Sequence, residues 1–455
     1  MRKRFTAIAL ALGLGLGTGA CSDFLTGPKL SDNPNRPTVA NNANLLVSAE
    51  TNLSFQSEGH LARTVCIWMQ QCAGTNKQYL ALGTYIVGDD DYFVDWQDAY
   101  IRGGLLDLRR LERSALAASP PDTAYAGVAY VLEAFLIGQT ADVWGDIPYS
   151  QAVDSTISAP ALDPQQQVYA AIQAKLDTAI RFLATATAPP QGEDVVYGGD
   201  VTKWTALANT LKARFYLHTV EPASNKTAVY DSVAKYAALG ISASDSSGDY
   251  RTFHASATTS SNLWHQFSVG WPQYLSAGKF LVDLLNTTPT ADPRLARYYA
   301  QNSSGQYVGA DPGQSLAGDP SALSTAVLDP AYRQPLATYV ENELILAEAS
   351  WNLAGGGAAG NAAALPHVTN ARAAQGLGAI AVTGLATIMT EKYIALFQNL
   401  EVWNDYKRTC IPALVPAGGS GAIPARLVYP LSERNANTSI SGTGPVRNWN
   451  DPNGC

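Results

Sequence analysis

The sequence predicts a mainly α-helical protein in which helix pairs, like those of tetratricopeptide repeats, pack against an irregular, loop-rich part. Three observations predict it. Hydrophobic residues make up 46% and charged residues 15% of the 455-residue chain, and beyond the N-terminus no long apolar run occurs, the balance of a globular chain with a large core. Apolar residues recur at helical spacing in successive segments, each closed by Gly or Pro. Between these segments lie long stretches rich in Gly, Ser, Asp, Pro and aromatics with no helical period. The repeat period is irregular, so a non-repetitive helical domain is the alternative to stacked pairs.

The chain opens with Arg2, Lys3 and Arg4, an apolar run over 5–16, small residues and then Cys21. This is a secretory leader over 1–20, too short in its apolar part to span a bilayer, ending at a lipid-modifiable cysteine. Residues 21–44 are rich in Asn, Pro, Ser and Thr and read as a lipid-anchored tether. The body follows over 45–455. The net charge is −8, and loss of the basic leader leaves the mature chain more acidic still. Such a chain is repelled by phosphate backbones, which excludes nucleic acid as a partner and leaves lipid as the only membrane attachment.

Within the body, helix pairs are expected near 96–143, 164–220 and 335–405. A helix over 96–118 precedes one over 125–143, where Val128, Val131, Leu132, Phe135 and Leu136 form one stripe ahead of Gly145 and Pro148. A helix over 164–185 precedes one over 201–220 that carries Leu207, Leu211 and Phe215. Tyr339, Leu344, Ala347 and Trp351 mark another before Gly355-Gly356-Gly357. Met389, Tyr393, Leu396, Phe397 and Leu400 mark the last. The stretches 245–272 and 302–335, within loop-rich insertions near 245–335, are expected to be loops.

Four further cysteines in an oxidising compartment, Cys66, Cys72, Cys410 and Cys455, allow three disulfide connectivities. Pairing Cys66 with Cys72 and Cys410 with Cys455 closes a local loop and ties down a tail. A zinc site is disfavoured: there is no CxxC, and the five histidines are scattered. No metal and no cofactor is expected. Asp89-Asp90-Asp91 lacks the Gly and terminal Glu of a calcium loop and reads as a solvated acidic turn. Glu341, Glu343 and Glu348 could be imagined as glycosidase carboxylates, but helix spacing assigns no roles. HExxH, GxSxG and GxxxxGK[ST] are all absent from the sequence. The chain therefore reads as a non-enzyme.

Several blocks, in order, resemble the SusD/RagB family, its SusD-like branch most closely. They are Asn33-Pro34-Asn35, Trp96-Gln97-Asp98-Ala99-Tyr100, and the turn Gly145-Asp146-Ile147-Pro148-Tyr149. Ala208, Leu211, Lys212, Ala213, Arg214, Tyr216 and Leu217 follow on one helix. Leu346-Ala347-Glu348-Ala349, the segments 391–396 and 401–409, and Ile423-Pro424-Ala425-Arg426 through Tyr429-Pro430 complete the likeness. The resemblance implies tetratricopeptide-like helix pairs against a ligand-presenting part. It also implies an outer-membrane lipoprotein, exposed at the cell surface, that binds an oligosaccharide or a peptide and hands it to a SusC-like TonB-dependent transporter. A surface-anchored helical glycoside hydrolase and a repeat scaffold that binds only proteins are the alternatives.

The family's binding loops vary, so candidate ligand contacts come from residue chemistry. Sugar sites use aromatic platforms flanked by polar groups. The loop 262–274 offers Trp264, His265, Trp271 and Tyr274. A second segment offers Asn76, Tyr79 and Tyr85, with Lys77 and Gln78 between.

Overall fold

The computed structural model describes residues 40–287, 290–315, 318–417, 422–452 and 454–455. The leader, Cys21 and most of the tether lie outside the described residues. In chain order the helices and strands begin with α1 (Asn42–Glu58), α2 (His60–Trp68), β1 (Cys72–Gly74), α3 (Lys77–Leu82), α4 (Phe93–Tyr100) and α5 (Leu105–Ala117). The central run is α6 (Thr123–Trp144), α7 (Gln165–Ala184), α8 (Val201–Leu217) and α9 (Lys226–Ala237). Then come β2 (Tyr250–Arg251), α10 (Leu263–Gly270), β3 (Leu275–Ala277), α11 (Lys279–Leu285), α12 (Arg294–Tyr298) and β4 (Pro335–Ala337). The chain closes with α13 (Tyr339–Leu353), α14 (Gly357–Ala374), α15 (Leu385–Ala395), α16 (Glu401–Thr409) and α17 (Leu431–Ala436). No described helix is long and apolar enough to cross a membrane.

Several of the main helices start where a side chain can accept the orphan N–H groups of the first turn. Asp122 accepts from Tyr125 N at 3.1 Å, Asp200 from Thr202 N and Lys203 N, and Thr338 from Glu341 N at 3.0 Å. Helix α1 packs on α5, α5 on α6, α6 on α7, α7 on α8, α8 on α9, α9 on α13 and α13 on α14. Each helix thus buries its faces against its neighbours in the row, the arrangement of a helical repeat. Helix α6 is buried almost all round, which explains why its sequence is apolar beyond a single stripe. It meets α8 closely at Gly138, where a Cβ would stand 2.1 Å from the Phe215 ring. The stretch between α9 and α13 holds α10–α12 and closes back on the N-terminal part through an antiparallel β1–β3 pair, Cys72 opposite Ala277 and Gly74 opposite Leu275.

A polar network ties the row together. Arg214 on α8 donates to Glu341 on α13 at 2.6 and 2.7 Å. Arg408 on α16 grips Glu348 on α13 and donates to Asp405 at 2.7 Å. Lys392 pairs with Asp405 at 2.8 Å. His218, just past α8, lies between Asp142 of α6 at 2.8 Å and Glu401 of α16 at 2.7 Å. All of these residues are buried. These polar residues therefore serve the scaffold.

Three expectations need correction. The helix expected over 96–118 is two, α4 and α5, because the chain turns at Arg102 (φ 55°) and Gly103 (φ 93°). There Asn52 Nδ2 donates to the freed carbonyls of Asp98 and Arg102 at 2.9 and 3.0 Å. The stripe from Met389 to Leu400 likewise breaks between α15 and α16. Gln398 takes φ 62°, and Gln71 accepts from Gln398 N while donating to Tyr393 O. Finally, 262–274 is not a loop throughout: Asn262 caps Trp264 N and His265 N and starts α10.

Candidate functional site

The two segments rich in candidate residues, nearly two hundred positions apart, meet in one cleft. The Cys66–Cys72 disulfide, with Cα atoms 5.1 Å apart, closes the turn from α2 into β1. The β1–β3 ladder then holds the residues after α10 against those before α3: Thr75 N donates to Tyr274 O at 3.1 Å and Thr75 Oγ1 to Gln273 O at 2.9 Å. Gly74 permits the approach, since a Cβ there would lie 1.8 Å from Tyr79 O. Between α2, α3, the following turn and α10 opens a cleft of about 400 Å³.

Its floor is aromatic. Tyr79 and Phe267 lie 4.8 Å apart, Tyr274 stands edge-on to Tyr79 at 6.0 Å, and Trp271 lies over Phe267 at 5.5 Å with the planes 30° apart. Trp271 is 52% exposed and Ile86, which also lines the cleft, 67%. Exposed apolar side chains that line a concave site with polar groups beside them are what a ligand covers on binding. Polar groups converge on the same floor. Arg63 places its guanidinium 4.4 Å from the Phe267 centroid and donates from Nε to Tyr79 Oη at 2.9 Å. His60 stacks on Tyr92 at 4.8 Å, and burial together with the Arg63 charge lowers its pKa to about 4. It is therefore neutral at pH 7, with one ring nitrogen to donate and one to accept. Burial raises the Tyr79 phenol, which stays protonated. Gln78 and Asp91 complete the rim. A flat apolar platform with an amide, a neutral imidazole, a phenol, a carboxylate and a guanidinium around it suits a ligand whose faces are C–H and whose edges are hydroxyl.

Among the sequence candidates, Trp271 and Tyr79 line the cleft, and Tyr274 buttresses it. Trp264 does not: it is 1% exposed in the core, because α10 turns alternate sides of this segment inward and outward with helical period. His265 is half-buried and turned to Leu328 O, 2.9 Å from Nδ1. Asn76 is half-buried at the start of α3, outside the lining. Tyr85 is half-buried too, packs edge-on to Trp68 and accepts from Ala417 N at 3.1 Å. His60, Arg63, Phe267 and Ile86 were not singled out, and Asp91 was read only as part of a solvated acidic turn. The only sequence signal for them is the i, i+3 spacing of His60 and Arg63 just before Cys66.

Other candidate features have structural uses. Asp90 accepts from Ser432 N and Oγ, Asp89 binds Arg434, and Asp91 accepts from Gly88 N, so the acidic run anchors α17 and its own turn. Glu341, Glu343 and Glu348 each face a basic partner: Arg214, His367 and Arg408. Cys410 and Cys455 are joined, tying the C-terminus to the end of α16. Asp142, His218 and Glu401 converge as metal ligands would. Burial opposes a charge on His218, but the two carboxylates outweigh it and push its pKa up to about 9, so an imidazolium already fills the role of the cation. A wider groove of about 700 Å³ runs beside α7, α8 and Trp449, and a smaller one of about 330 Å³ lies between α13 and the insertion. Neither joins the two candidate segments.

A family model described as "SusD-like_2: Starch-binding associating with outer membrane" matches residues 34–430. No curated protein matches the chain. Among solved structures, a SusD/RagB family protein from Bacteroides thetaiotaomicron is 20% identical with a TM-score of 0.73, covering 88% of this chain and 95% of that one. A chitin-binding protein is 20% identical with a TM-score of 0.75 over 91% of this chain and 100% of its own. A chitin-binding SusD homologue from Flavobacterium johnsoniae is 20% identical with a TM-score of 0.68 over 90% and 97%.

Proposed function

The chain belongs to the SusD-like family, and from that premise we propose that it is a non-catalytic outer-membrane lipoprotein, anchored through Cys21, which captures an oligosaccharide and delivers it to a SusC-like TonB-dependent transporter. The observation that carries the binding step is the aromatic cleft, with Trp271 exposed over Phe267 and hydrogen-bonding groups at its edge. Two structural relatives described as chitin-binding support a saccharide as the ligand class. The cleft is open on one side, so a ligand held by one platform and a few hydrogen bonds can leave again, as delivery requires. Catalysis has no support in the cleft, whose one carboxylate, Asp91, lacks the second that glycoside hydrolysis uses.

The test has two parts. The mature protein is titrated with a panel of oligosaccharides and peptides, and reducing ends are assayed after long incubation. Saccharide binding without cleavage is expected; binding of peptides alone, or release of reducing ends, overturns the reading. For delivery, the native protein is purified in mild detergent, where a TonB-dependent barrel is expected to co-purify. Its consistent absence would remove the transport step.

A further inference from the structure

Building on the saccharide reading, we propose that the cleft selects acidic sugars, with Arg63 as the residue that receives a uronate carboxylate. Arg63 is the one cation among the residues lining the cleft once His60 is neutral. A guanidinium has five N–H donors. Here Nε is used on Tyr79 Oη at 2.9 Å and Nη1 on the Glu58 carbonyl at 3.3 Å, while Nη2 has no partner among the described residues. Three buried arginines elsewhere in this protein grip carboxylates, Arg214 on Glu341, Arg294 on Glu391 and Arg408 on Glu348, and a fourth, Arg426, spends its N–H groups on carbonyl and amide oxygens. Arg63 is half-buried and forms no ion pair among the described residues. Asp95 senses its charge from inside the core but is not within ion-pair distance, and Asp91 is held at the rim by Gly88 N–H at 2.7 Å.

The position matters as much as the missing counter-ion. Arg63 and Trp271 lean on the same ring, Phe267, at 4.4 and 5.5 Å. A pyranose laid on Trp271 is thus one aromatic ring away from a guanidinium with free N–H groups pinned by Tyr79. A ring carboxylate meets such a fork with a charge-assisted, bidentate geometry that the hydroxymethyl of a neutral hexose lacks. The pinning by Tyr79 and Phe267 lowers the ordering cost of that contact.

The experiment uses the full mature protein in detergent and calorimetric titration with uronate oligomers (galacturonate, glucuronate, mannuronate), each beside its neutral counterpart of the same linkage and length. At low salt a uronate is expected to bind at least about tenfold more tightly than its neutral counterpart. That preference, read as the ratio of acidic to neutral affinity within each protein, should shrink toward unity in high salt and in Arg63→Gln, and persist in part in Arg63→Lys. Equal binding of acidic and neutral partners, or a preference that survives Arg63→Gln, overturns the proposal and leaves the saccharide reading standing. Equal loss of both ligands in Arg63→Gln and Arg63→Lys also overturns it, by making Arg63 a support of the floor. Absence of binding to every saccharide, acidic or neutral, overturns both.

Discussion

Replacing His218 by Gln tests the polar network that positions the helices. The ring is fully enclosed, with Nδ1 2.8 Å from Asp142 and Nε2 2.7 Å from Glu401. Despite burial, the two carboxylates raise its pKa from 6.5 to about 9. A folded-state pKa above the unfolded one stabilises the fold fully below the unfolded value, and that contribution fades as pH rises through the folded one. Integrated over this window it amounts to roughly 3 kcal/mol. His218→Gln removes the charge and leaves two buried carboxylates facing an amide, a loss of about 3–5 kcal/mol near neutral pH. Lys407, lowered to about 8 by burial, titrates in the opposite sense nearby. The readout is therefore the stability gap between wild type and variant in urea, not either profile alone. The gap should be larger at about pH 6 than at about pH 9.5 by roughly 3 kcal/mol. A gap that does not change with pH would refute a charged His218.

Gly138→Ala pushes a methyl into the Phe215 ring and should cost about 1–3 kcal/mol in chemical unfolding, with partial recovery when Phe215→Leu is added; no loss would mean that α6 and α8 are not in such close contact. Trp264→Phe should lower thermal stability, because the smaller ring leaves a cavity in the core, and leave ligand affinity within about twofold of wild type, because the side chain is enclosed away from the cleft. A selective loss of affinity would bring Trp264 into the site.

The helical class was legible because the stripes on α6, α8 and α13 repeat over several turns, long enough for period to decide. The breaks were not. Arg102, Gly103 and Gln398 leave the helix because Asn52 and Gln71, distant in sequence, take up the released backbone groups. Trp271 and Tyr79 were visible as aromatics in polar surroundings, and their meeting follows from the β1–β3 pairing of strands too short to announce themselves. Trp264 misled because a tryptophan beside a histidine reads alike whether its helix turns it in or out. Arg63 and His60 sit among apolar neighbours on α2, and only the fold reveals that they face Phe267 and Tyr92.

The most direct test of the central claim is calorimetric titration of the best saccharide from the panel into wild type, Trp271→Ala and Trp449→Ala, the last placed in the α7–α8 groove. Losing the Trp271 platform should weaken binding about tenfold, the scale of one aromatic stacking contact, while Trp449→Ala binds as wild type does. Unchanged affinity in Trp271→Ala, with loss in Trp449→Ala, would contradict the account and move the ligand to the other groove.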